Sequence, residues 1–274
     1  MKVLVLGSKG FLGKALINNL KYSSVGLEFP QNHDLEQKRE LFKNFLLKEK
    51  PTVLVNCIGS FSNIFSKDFD VNALITEMIL DSIKTLEYKI QIFLIGSAAE
   101  YKDVDRPVSE KVQLEPSSIY GLSKKIQFEI CRFYRKKFNM KINYLRPFNI
   151  SGYSKNRNLL IGEIYHQIEK NKKNNSKHFS FGNLGGNRDY LSLEKFTDII
   201  NKLIQTGIQD STLNIGSGKS VEVREFVKQT IYKSGIKNPQ IDEKRILDSK
   251  SYKNVIADIS ELKKLIGEIW IHLN

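Results

Sequence analysis

The chain has 274 residues, of which 41% are hydrophobic and 27% charged, so it is long enough to bury one large core or two small ones and has the composition of a globular protein. Its formal net charge is +13, yet no motif that reads nucleic acid accompanies the basic residues, and no apolar run has the length that spans a membrane. We therefore predict neither a nucleic-acid nor a membrane partner, and two widely separated cysteines, Cys57 and Cys131, indicate reduced thiols in a cytoplasmic protein.

The first half of the chain alternates short apolar runs with amphipathic stretches. The apolar runs predict strands at Lys2 to Leu6, Ser24 to Glu28, Thr52 to Ile58, Ile90 to Ile95 and Ile142 to Leu145. The amphipathic stretches predict helices at Phe11 to Leu20, Gln37 to Lys48, Asn72 to Leu86 and Ser118 to Phe138. Mostly apolar strands between helices are typical of an α/β fold whose parallel sheet is covered on both faces. Right-handed crossovers then give a doubly wound, Rossmann-like sheet.

The pattern loosens after Arg146. Helices are predicted at about Leu159 to Lys170, Glu194 to Gln205 and Val223 to Ser234, with short strands and glycine-rich turns between them. The basic stretch from Lys170 to Lys177 has the composition of a surface loop. We predict that residues 1–150 and 188–216 form a dinucleotide-binding domain and that residues 151–187 and 217–274 form a smaller, irregular α/β lobe.

A glycine loop joins the first predicted strand to the first helix, with the sequence Gly7-Ser8-Lys9-Gly10-Phe11-Leu12-Gly13. Gly7 would permit a tight turn, Gly10 a close approach of the backbone to a pyrophosphate, and Gly13 close packing of helix on strand. Free amides at the start of the helix would face the phosphates. An ordinary glycine-rich turn is the alternative, but the strand before and the helix after favour a dinucleotide bound by Gly7, Gly10, Phe11, Leu12 and Gly13.

Glu28 ends the second predicted strand. A carboxylate there can accept hydrogen bonds from the adenosine ribose hydroxyls and repels a 2′-phosphate. No arginine lies nearby in the sequence to accept such a phosphate. If Glu28 contacts the ribose, NAD(H) is favoured and NADP(H) is still possible. The interpretation of Glu28 as a solvated surface residue without a cofactor contact is equally good.

Tyr120 and Lys124 are one helical turn apart and share a helix face. The ammonium would lower the pKa of the phenol, so that the tyrosine could exchange a proton near neutral pH. Ser97 follows the strand ending at Ile95, at the sheet edge where parallel-sheet enzymes keep their working residues, and its hydroxyl could hold a substrate carbonyl oxygen. Singly each could be structural; together Ser97, Tyr120 and Lys124 indicate a catalytic triad that moves a hydride and a proton.

These motifs resemble those of the extended short-chain dehydrogenase/reductase family, which includes nucleotide-sugar epimerases, dehydratases and reductases, and the resemblance covers nearly the whole chain. The further segments that carry the resemblance are Asp34-Leu35, Asn72, Leu145-Arg146-Pro147-Phe148-Asn149-Ile150-Ser151-Gly152, Arg188-Asp189-Tyr190, Asn214-Ile215-Gly216-Ser217-Gly218, Arg245-Ile246-Leu247-Asp248 and Ala257-Asp258-Ile259-Ser260.

The resemblance implies roles for several residues outside the triad. Asp34 and Leu35 would contact the adenine of the cofactor, and Lys124 would also hold the nicotinamide ribose. The second lobe would bind a nucleoside diphosphate sugar, with Asn149, Arg188 and Arg245 as substrate-binding residues. No metal site is implied.

The resemblance also implies a homodimer, because the family pairs its Tyr/Lys helix with the preceding long helix in a four-helix bundle. These helices would be Asn72 to Leu86 and Ser118 to Phe138 here. Apolar residues extend around more than one face of the second helix, namely Leu122, Ile126, Phe128, Ile130, Cys131, Phe133 and Tyr134. The alternative is that the additional apolar residues cover the second lobe.

The chain departs from the family pattern at informative positions. Ser97 is followed by Ala98-Ala99, whereas the dehydratase branch has Asp-Glu there and the fucose-synthase branch has Cys at the position of Ala99. Ile58-Gly59 replaces the usual Ala-Ala pair, and Lys102 replaces a glycine. The segments 95–101 and 107–110 most resemble the nucleotide-linked 4-keto-6-deoxysugar reductases, such as the GDP-6-deoxymannose reductases.

We therefore expect NAD(P)H-dependent reduction of a nucleotide-linked 4-keto-6-deoxysugar. An NAD-dependent nucleotide-sugar 4-epimerase uses the same triad and stays open as an alternative. A non-catalytic dinucleotide-binding regulatory protein is the alternative from another class.

Overall fold

The computed structural model describes residues 1–102, 104, 106–244 and 254–267. Its strands are, in chain order, β1 (Lys2–Leu6), β2 (Ser23–Leu27), β3 (Val53–Asn56), β4 (Gln91–Ile95), β5 (Ile142–Pro147), β6 (Asn149–Ser151), β7 (His178–Phe181), β8 (Asn187–Arg188), β9 (Tyr190–Ser192), β10 (Thr212–Ile215), β11 (Val221–Glu222), β12 (Gln240–Glu243) and β13 (Asn254–Val255). Its α-helices are α1 (Phe11–Asn19), α2 (Leu35–Glu49), α3 (Phe65–Phe69), α4 (Ile75–Ile83), α5 (Ile119–Phe138), α6 (Leu160–Lys173), α7 (Leu193–Thr206), α8 (Val223–Lys233) and α9 (Ser260–Ile266).

Six of these strands form the main sheet, in the order β2-β1-β3-β4-β5-β10, and every pairing between them is parallel. The predicted doubly wound α/β fold is therefore confirmed. Because β1 lies between β2 and β3, the winding direction of the chain reverses beside β1. In folds of this kind, ligands bind in the crevice at the carboxyl ends of the strands at that reversal point.

The main sheet is buried on both faces because alternate residues of each strand point to opposite sides. In β1, Val3 and Val5 belong to one apolar core, and Leu4 and Leu6 belong to the other. Helices α1, α7 and α9 contribute to the first core, and α2, α4 and α5 to the second. The alternative that Phe128, Cys131 and Tyr134 of α5 cover the second lobe is wrong, since all three pack into this second core.

A third apolar core lies in the second half of the chain, where α6, β7 and α8 pack together. Short pairings join β7 to β12, β6 to β9, and β8 to both β11 and β13. Ala257 and Leu262, which fall in the range predicted for the smaller lobe, pack into the first core of the main sheet. The exact division of the chain into two domains stays a prediction. Among the described helices, none has the length and apolar composition needed to cross a bilayer.

Two helices differ from the boundaries expected from the sequence. Helix α6 continues through Lys173, although residues 170–177 have a loop-like composition, because the buried Asn171 side chain donates a hydrogen bond to the His178 backbone oxygen at 2.7 Å. Lysines in the last turn also suit the negative end of the helix dipole. The helix expected from Asn72 begins earlier, at Phe65, and a π-helical turn at Asp70–Leu74 joins α3 to α4. Asn72 therefore lies in an irregular turn of the kind often found at functional sites.

Candidate active site

The glycine loop lies at the carboxyl end of β1. Gly7 has a φ of +71°, which residues with a side chain rarely adopt, and a Cβ there would lie 3.0 Å from the Ile58 backbone nitrogen. A Cβ on Gly13 would lie 2.1 Å from the Gly7 oxygen. The tight turn predicted at Gly7 and the close packing predicted at Gly13 are therefore confirmed.

The start of α1 fits the pyrophosphate of a dinucleotide. Gly10 is the residue that precedes the helix and supplies no side-chain cap, and the first turn contains no acidic residue. Amides in a first helical turn lack intrahelical acceptors and carry partial positive charge. The amides of Phe11 and Leu12 are therefore suited to an anionic ligand at this point.

The Glu28 carboxylate follows β2 and borders the glycine loop. Its Oε1 atom accepts hydrogen bonds from the Ser8 hydroxyl at 3.0 Å and from the Lys9 backbone amide at 2.5 Å. Glu28 is thus a half-buried residue that is hydrogen-bonded to the loop, while its contact with a ribose stays a prediction.

Ser97 directly follows β4 and precedes a short 3₁₀ turn at Ala98–Glu100. The Ser97 amide donates to Glu100 Oε1 at 2.8 Å, and the Ser97 hydroxyl accepts from the Ala99 amide at 3.1 Å. The fully buried Glu100 in turn pairs with buried Arg146, whose Nε lies 2.8 Å from Glu100 Oε2. Burial raises the pKa of Glu100, and the Arg146 guanidinium opposes that rise. A buried ion pair therefore fixes the turn that carries Ser97.

The start of α5 brings Tyr120 to Ser97. Gly121 permits this approach, because a Cβ there would lie 2.2 Å from the Ala99 backbone oxygen. The Ser97 side chain lies near enough to Tyr120 to act on the pKa of its phenol. The ring of Tyr120 also packs edge-on against Phe61, with 4.8 Å between the ring centroids. The predicted serine and tyrosine therefore share one site.

The loop that carries Phe61 is held by Asp68. This fully buried carboxylate accepts hydrogen bonds from the Ser60 and Ser62 hydroxyls at 2.7 Å and from the Ser62 and Asn63 amides at 2.9 Å. Burial acts to raise the pKa of Asp68, but these hydrogen bonds together lower it. The segment between β3 and α3 is thus a fixed wall beside Tyr120.

Lys124 lies on the same face of α5 as Tyr120 and is only 3% exposed. Its Nζ atom donates to the Ile95 backbone oxygen and to Gln127 Oε1, both at 2.9 Å. Burial lowers the pKa of Lys124 to about 8, although Glu100 and other nearby acidic groups act to raise it. The lysine is therefore close to the midpoint of its titration at physiological pH.

The predicted effect of Lys124 on the phenol of Tyr120 is wrong in this structure. The ammonium is hydrogen-bonded to Ile95 and Gln127, and burial raises the pKa of Tyr120 to about 12, with the nearby Ser97 side chain opposing the rise. Tyr120 is consequently a neutral phenol at pH 7. That form can donate a proton to a carbonyl oxygen, so the arrangement suits reduction.

The glycine loop and Lys124 meet at the end of β3. Gly7 approaches Ile58, and a Cβ on the next residue, Gly59, would lie 3.5 Å from both Lys124 Nζ and Asn72 Oδ1. The absence of a side chain at Gly59 leaves space beside the ammonium. The cradle for a dinucleotide and the Ser97/Tyr120/Lys124 group are therefore parts of one continuous site.

Asn149 in β6 and Arg188 in β8, two of the residues implied in substrate binding, make hydrogen bonds to backbone oxygens of this chain. The Asn149 side chain donates to the Asp189 backbone oxygen at 3.0 Å, and Arg188 Nη1 donates to the Asn187 backbone oxygen at 2.8 Å. Arg245 lies outside the described residues. A cavity of about 500 Å³ is lined by residues 184–187, Glu222, Arg224, Glu243 and Asn254, and Arg188 is not among its lining residues. The substrate contacts of Asn149, Arg188 and Arg245 stay predictions.

Asp34 and Leu35 have structural partners of their own. Asp34 caps α2, since its carboxylate accepts from the Gln37 amide at 2.8 Å while the Gln37 side chain accepts from the Asp34 amide at 3.0 Å. Leu35 packs against the second core. Their contacts with an adenine stay predictions.

Sequence patterns do not identify the polar residues behind the triad, namely Asp68, Glu100, Gln127 and Arg146, all of which are buried. The available signal is weak. Arg146 follows the apolar run at Tyr144 and Leu145 within a strand, where a charge is unusual and indicates a buried partner.

Comparisons with known proteins bear on the family and the fold of this chain. Residues 64–265 match the model of the family described as GDP-mannose 4,6 dehydratase, which is more than half of the chain. A curated relative, the GDP-6-deoxy-D-talose 4-dehydrogenase of Aggregatibacter actinomycetemcomitans, is 27% identical over 278 residues, and the match covers 97% of this chain and 92% of the relative.

Solved structures share the fold at low sequence identity. RMD from Pseudomonas aeruginosa, complexed with NADPH, has a TM-score of 0.81 at 20% identity, covering 97% of this chain and 92% of that chain. The UDP-glucose 4-epimerase of Thermus thermophilus, complexed with NAD, has a TM-score of 0.77 at 20% identity, covering 96% and 92%. The predicted resemblance to short-chain dehydrogenase/reductase-type enzymes is confirmed by these findings together.

Proposed function

Since this chain belongs to the GDP-mannose 4,6-dehydratase family, we propose that it reduces the 4-keto group of a nucleotide-linked 6-deoxysugar to an alcohol with NAD(P)H. The observation that carries the proposal is the placement of Tyr120 against the turn that follows Ser97, with Lys124 one helical turn away and a glycine loop beside that lysine. The relative named as a GDP-6-deoxy-D-talose 4-dehydrogenase supports oxidation and reduction at carbon 4 of a nucleoside diphosphate sugar.

In the proposed reaction, Gly7, Gly10, Gly13 and the first amides of α1 hold the dinucleotide. When bound, NAD(P)H supplies the hydride. The Ser97 hydroxyl binds the keto oxygen and orients it, and Tyr120 donates its phenolic proton to that oxygen. Lys124 holds the nicotinamide ribose with its ammonium group.

Dehydration is not part of the proposal, although the family is described by that reaction. Elimination of water needs an acid and a base at the sugar, and the positions after Ser97 hold Ala98 and Ala99, which supply neither. What remains is Ser97, Tyr120 and Lys124, a set that suffices for hydride transfer at one carbon.

A nucleotide-sugar 4-epimerase is the second candidate, because it would use the same three residues and because the chain shares its fold with such an enzyme. The two reactions differ in what happens to the cofactor. An epimerase keeps its NAD bound and regenerates it, whereas a reductase consumes NAD(P)H in stoichiometric amounts. Measurement of cofactor retained by the purified protein, and of NADH consumed per product formed, separates them.

Tyr120→Phe tests both catalytic candidates against a non-catalytic regulator. Phenylalanine keeps the packing against Phe61 but has no proton to donate, so turnover with saturating NADH and a nucleoside diphosphate 4-keto-6-deoxysugar should fall on the order of 10²-fold or more. Tyr88→Phe is the matched control, since the half-buried Tyr88 hydroxyl donates to the Leu46 backbone oxygen in another part of the sheet. Turnover near that of the wild type in Tyr120→Phe would remove Tyr120 from the mechanism.

A further inference from the structure

Gln127 contacts Lys124 from within the core. It is fully buried, although glutamine is mostly an exposed residue, and it lies three residues after Lys124 on the same face of α5. Both ends of its amide have partners: Oε1 accepts from Lys124 Nζ at 2.9 Å, and Nε2 donates to Thr76 Oγ1 at 3.0 Å. The side chain therefore bridges α4 and the catalytic helix.

Thr76 determines which end of the amide faces Lys124. A hydroxyl has a single proton, and Thr76 donates it to the Asn72 backbone oxygen at 2.9 Å. The Thr76 oxygen is left as an acceptor toward Gln127, so Gln127 must present its NH₂ group there. The carbonyl oxygen of Gln127 is then directed at the ammonium.

An ammonium group has three donors. Gln127 and Ile95 accept from Lys124 on the core side, and Gly59 leaves space on the side of the glycine loop. We propose that Gln127 is a positioning residue that orients the Lys124 ammonium toward the glycine loop and stabilises its charge.

Several titratable groups face Lys124 from the elements around it. Glu100 in the 3₁₀ turn and Asp68 in α3 favour the charged form, Cys57 lies after β3, and Tyr120 is on the same helix. The amide oxygen of Gln127 is in direct hydrogen-bond contact with Nζ and is neutral. Replacing this amide by a charged group or by an apolar group should therefore shift the pKa of Lys124, and the two replacements should shift it in opposite directions.

Two variants of Gln127 test the inference with opposite expectations. Gln127→Glu keeps the shape and adds a carboxylate, which favours the ammonium, so the pKa of Lys124 should rise by about one unit or more. Gln127→Met keeps the size and removes the acceptor, so the pKa should fall. A change of one pKa unit is about a tenfold change in the ratio of ammonium to amine.

The primary measurement needs no substrate or cofactor. The free energy of unfolding in urea is measured from pH 7 to pH 10 for the wild type and for each Gln127 variant. The same measurement is made on each of these proteins with Lys124→Met added. Within each pair, the difference in free energy as a function of pH gives the titration midpoint of Lys124. The secondary measurement is the alkaline limb of the kcat/KM profile, which should move in the same direction as that midpoint.

Thr76→Val and Ser82→Ala supply the matched controls. Each removes a hydroxyl that is 1% exposed and bonded to the backbone oxygen four residues earlier, but only Thr76 contacts Gln127. Thr76→Val should lower the midpoint because the amide is no longer held in one orientation, whereas Ser82→Ala should leave it unchanged.

The inference rests on the catalytic role proposed for Lys124, but the two can fail separately. Midpoints that shift in opposite directions in a protein inactive on every nucleotide sugar would support Gln127 and reject the proposed function. An unchanged midpoint, or a shift in one direction for both Gln127 variants, would mean that Gln127 is merely part of the core and would overturn the inference.

Discussion

Replacing Lys124 with methionine should remove a pH dependence from the free energy of unfolding. Burial lowers the pKa of Lys124 from 10.5 to about 8 in the folded protein, while the unfolded chain keeps the ordinary value. Below about pH 8 both states hold the proton, and the folded state bears the cost of a buried ammonium. Between about pH 8 and pH 10.5 the unfolded state binds more protons, so the stability of the wild type rises with pH in this window.

The size of this effect follows from the two pKa values. A fall from 10.5 to about 8 corresponds to about 3 kcal/mol, at about 1.4 kcal/mol for each pH unit. Methionine has a similar length and no charge, so the variant lacks this contribution. We expect the stability of the wild type minus that of Lys124→Met to increase by most of about 3 kcal/mol between pH 7 and pH 10.

Urea unfolding followed by circular dichroism at closely spaced pH values measures this difference. Burial raises the pKa of both Cys57 and Cys131 to about 12, and these thiols oppose the rise in stability above about pH 9. They are present in both proteins, however, and largely cancel in the difference. A difference that stays constant from pH 7 to pH 10 would refute the reasoning, because Lys124 would then titrate as an ordinary exposed lysine.

Three further predictions concern the cofactor, the reaction and the assembly. NADH should give a higher kcat/KM than NADPH, because the Glu28 carboxylate is predicted to contact the adenosine ribose and would repel a 2′-phosphate there; a clear preference for NADPH would reject this role of Glu28. Incubation with GDP-mannose, dTDP-glucose or CDP-glucose and NAD should yield no 4-keto-6-deoxy product, because Ala98 and Ala99 have no acid or base function, and detection of that product by mass spectrometry would contradict the assignment. Sedimentation equilibrium at micromolar concentration should show a homodimer, because Leu122 and Phe133 of α5 are 39% and 56% exposed, and a species near 31.5 kDa would mean a monomer.

The main sheet and the glycine loop can be predicted because their signals are local. A buried parallel strand needs apolar residues on both faces, so β1, β3 and β4 each consist of an apolar run with one polar residue at an end. A side chain at Gly7 or Gly13 would be too close to neighbouring backbone atoms, so only glycine fits at these positions. The two glycines in the sequence therefore predict the turn. The meeting of Ser97 and Tyr120 is less local, and it could be predicted only by combining the strand order with a family pattern.

The polar network behind the triad could not be predicted, for a physical reason. In a helix such as α5, a polar residue at Gln127 beside Lys124 and Lys125 has the pattern of an exposed face, and only the packing of α4 against it makes that face an interior one. The π-helical turn that contains Asn72 shifts the helical face by part of a turn, which a pattern of regular periodicity cannot represent. The phenol pKa was likewise beyond sequence patterns, because it depends mainly on how deeply the tertiary packing buries Tyr120.

The two buried cations near the site are held by different chemical means. Arg146 pairs with the Glu100 carboxylate, and a buried ion pair of this kind is costly to break because the remaining charge would be left without compensation. It is therefore suited to holding the Ser97 turn in one conformation. Lys124 instead donates to the neutral oxygens of Ile95 and Gln127. A carboxylate in place of Gln127 would form an ion pair with the Lys124 ammonium and keep it charged. With neutral acceptors, the pKa of Lys124 is about 8. The charge of Lys124 can then respond to a ligand on the glycine loop, which is what the proposed contact with a ribose requires.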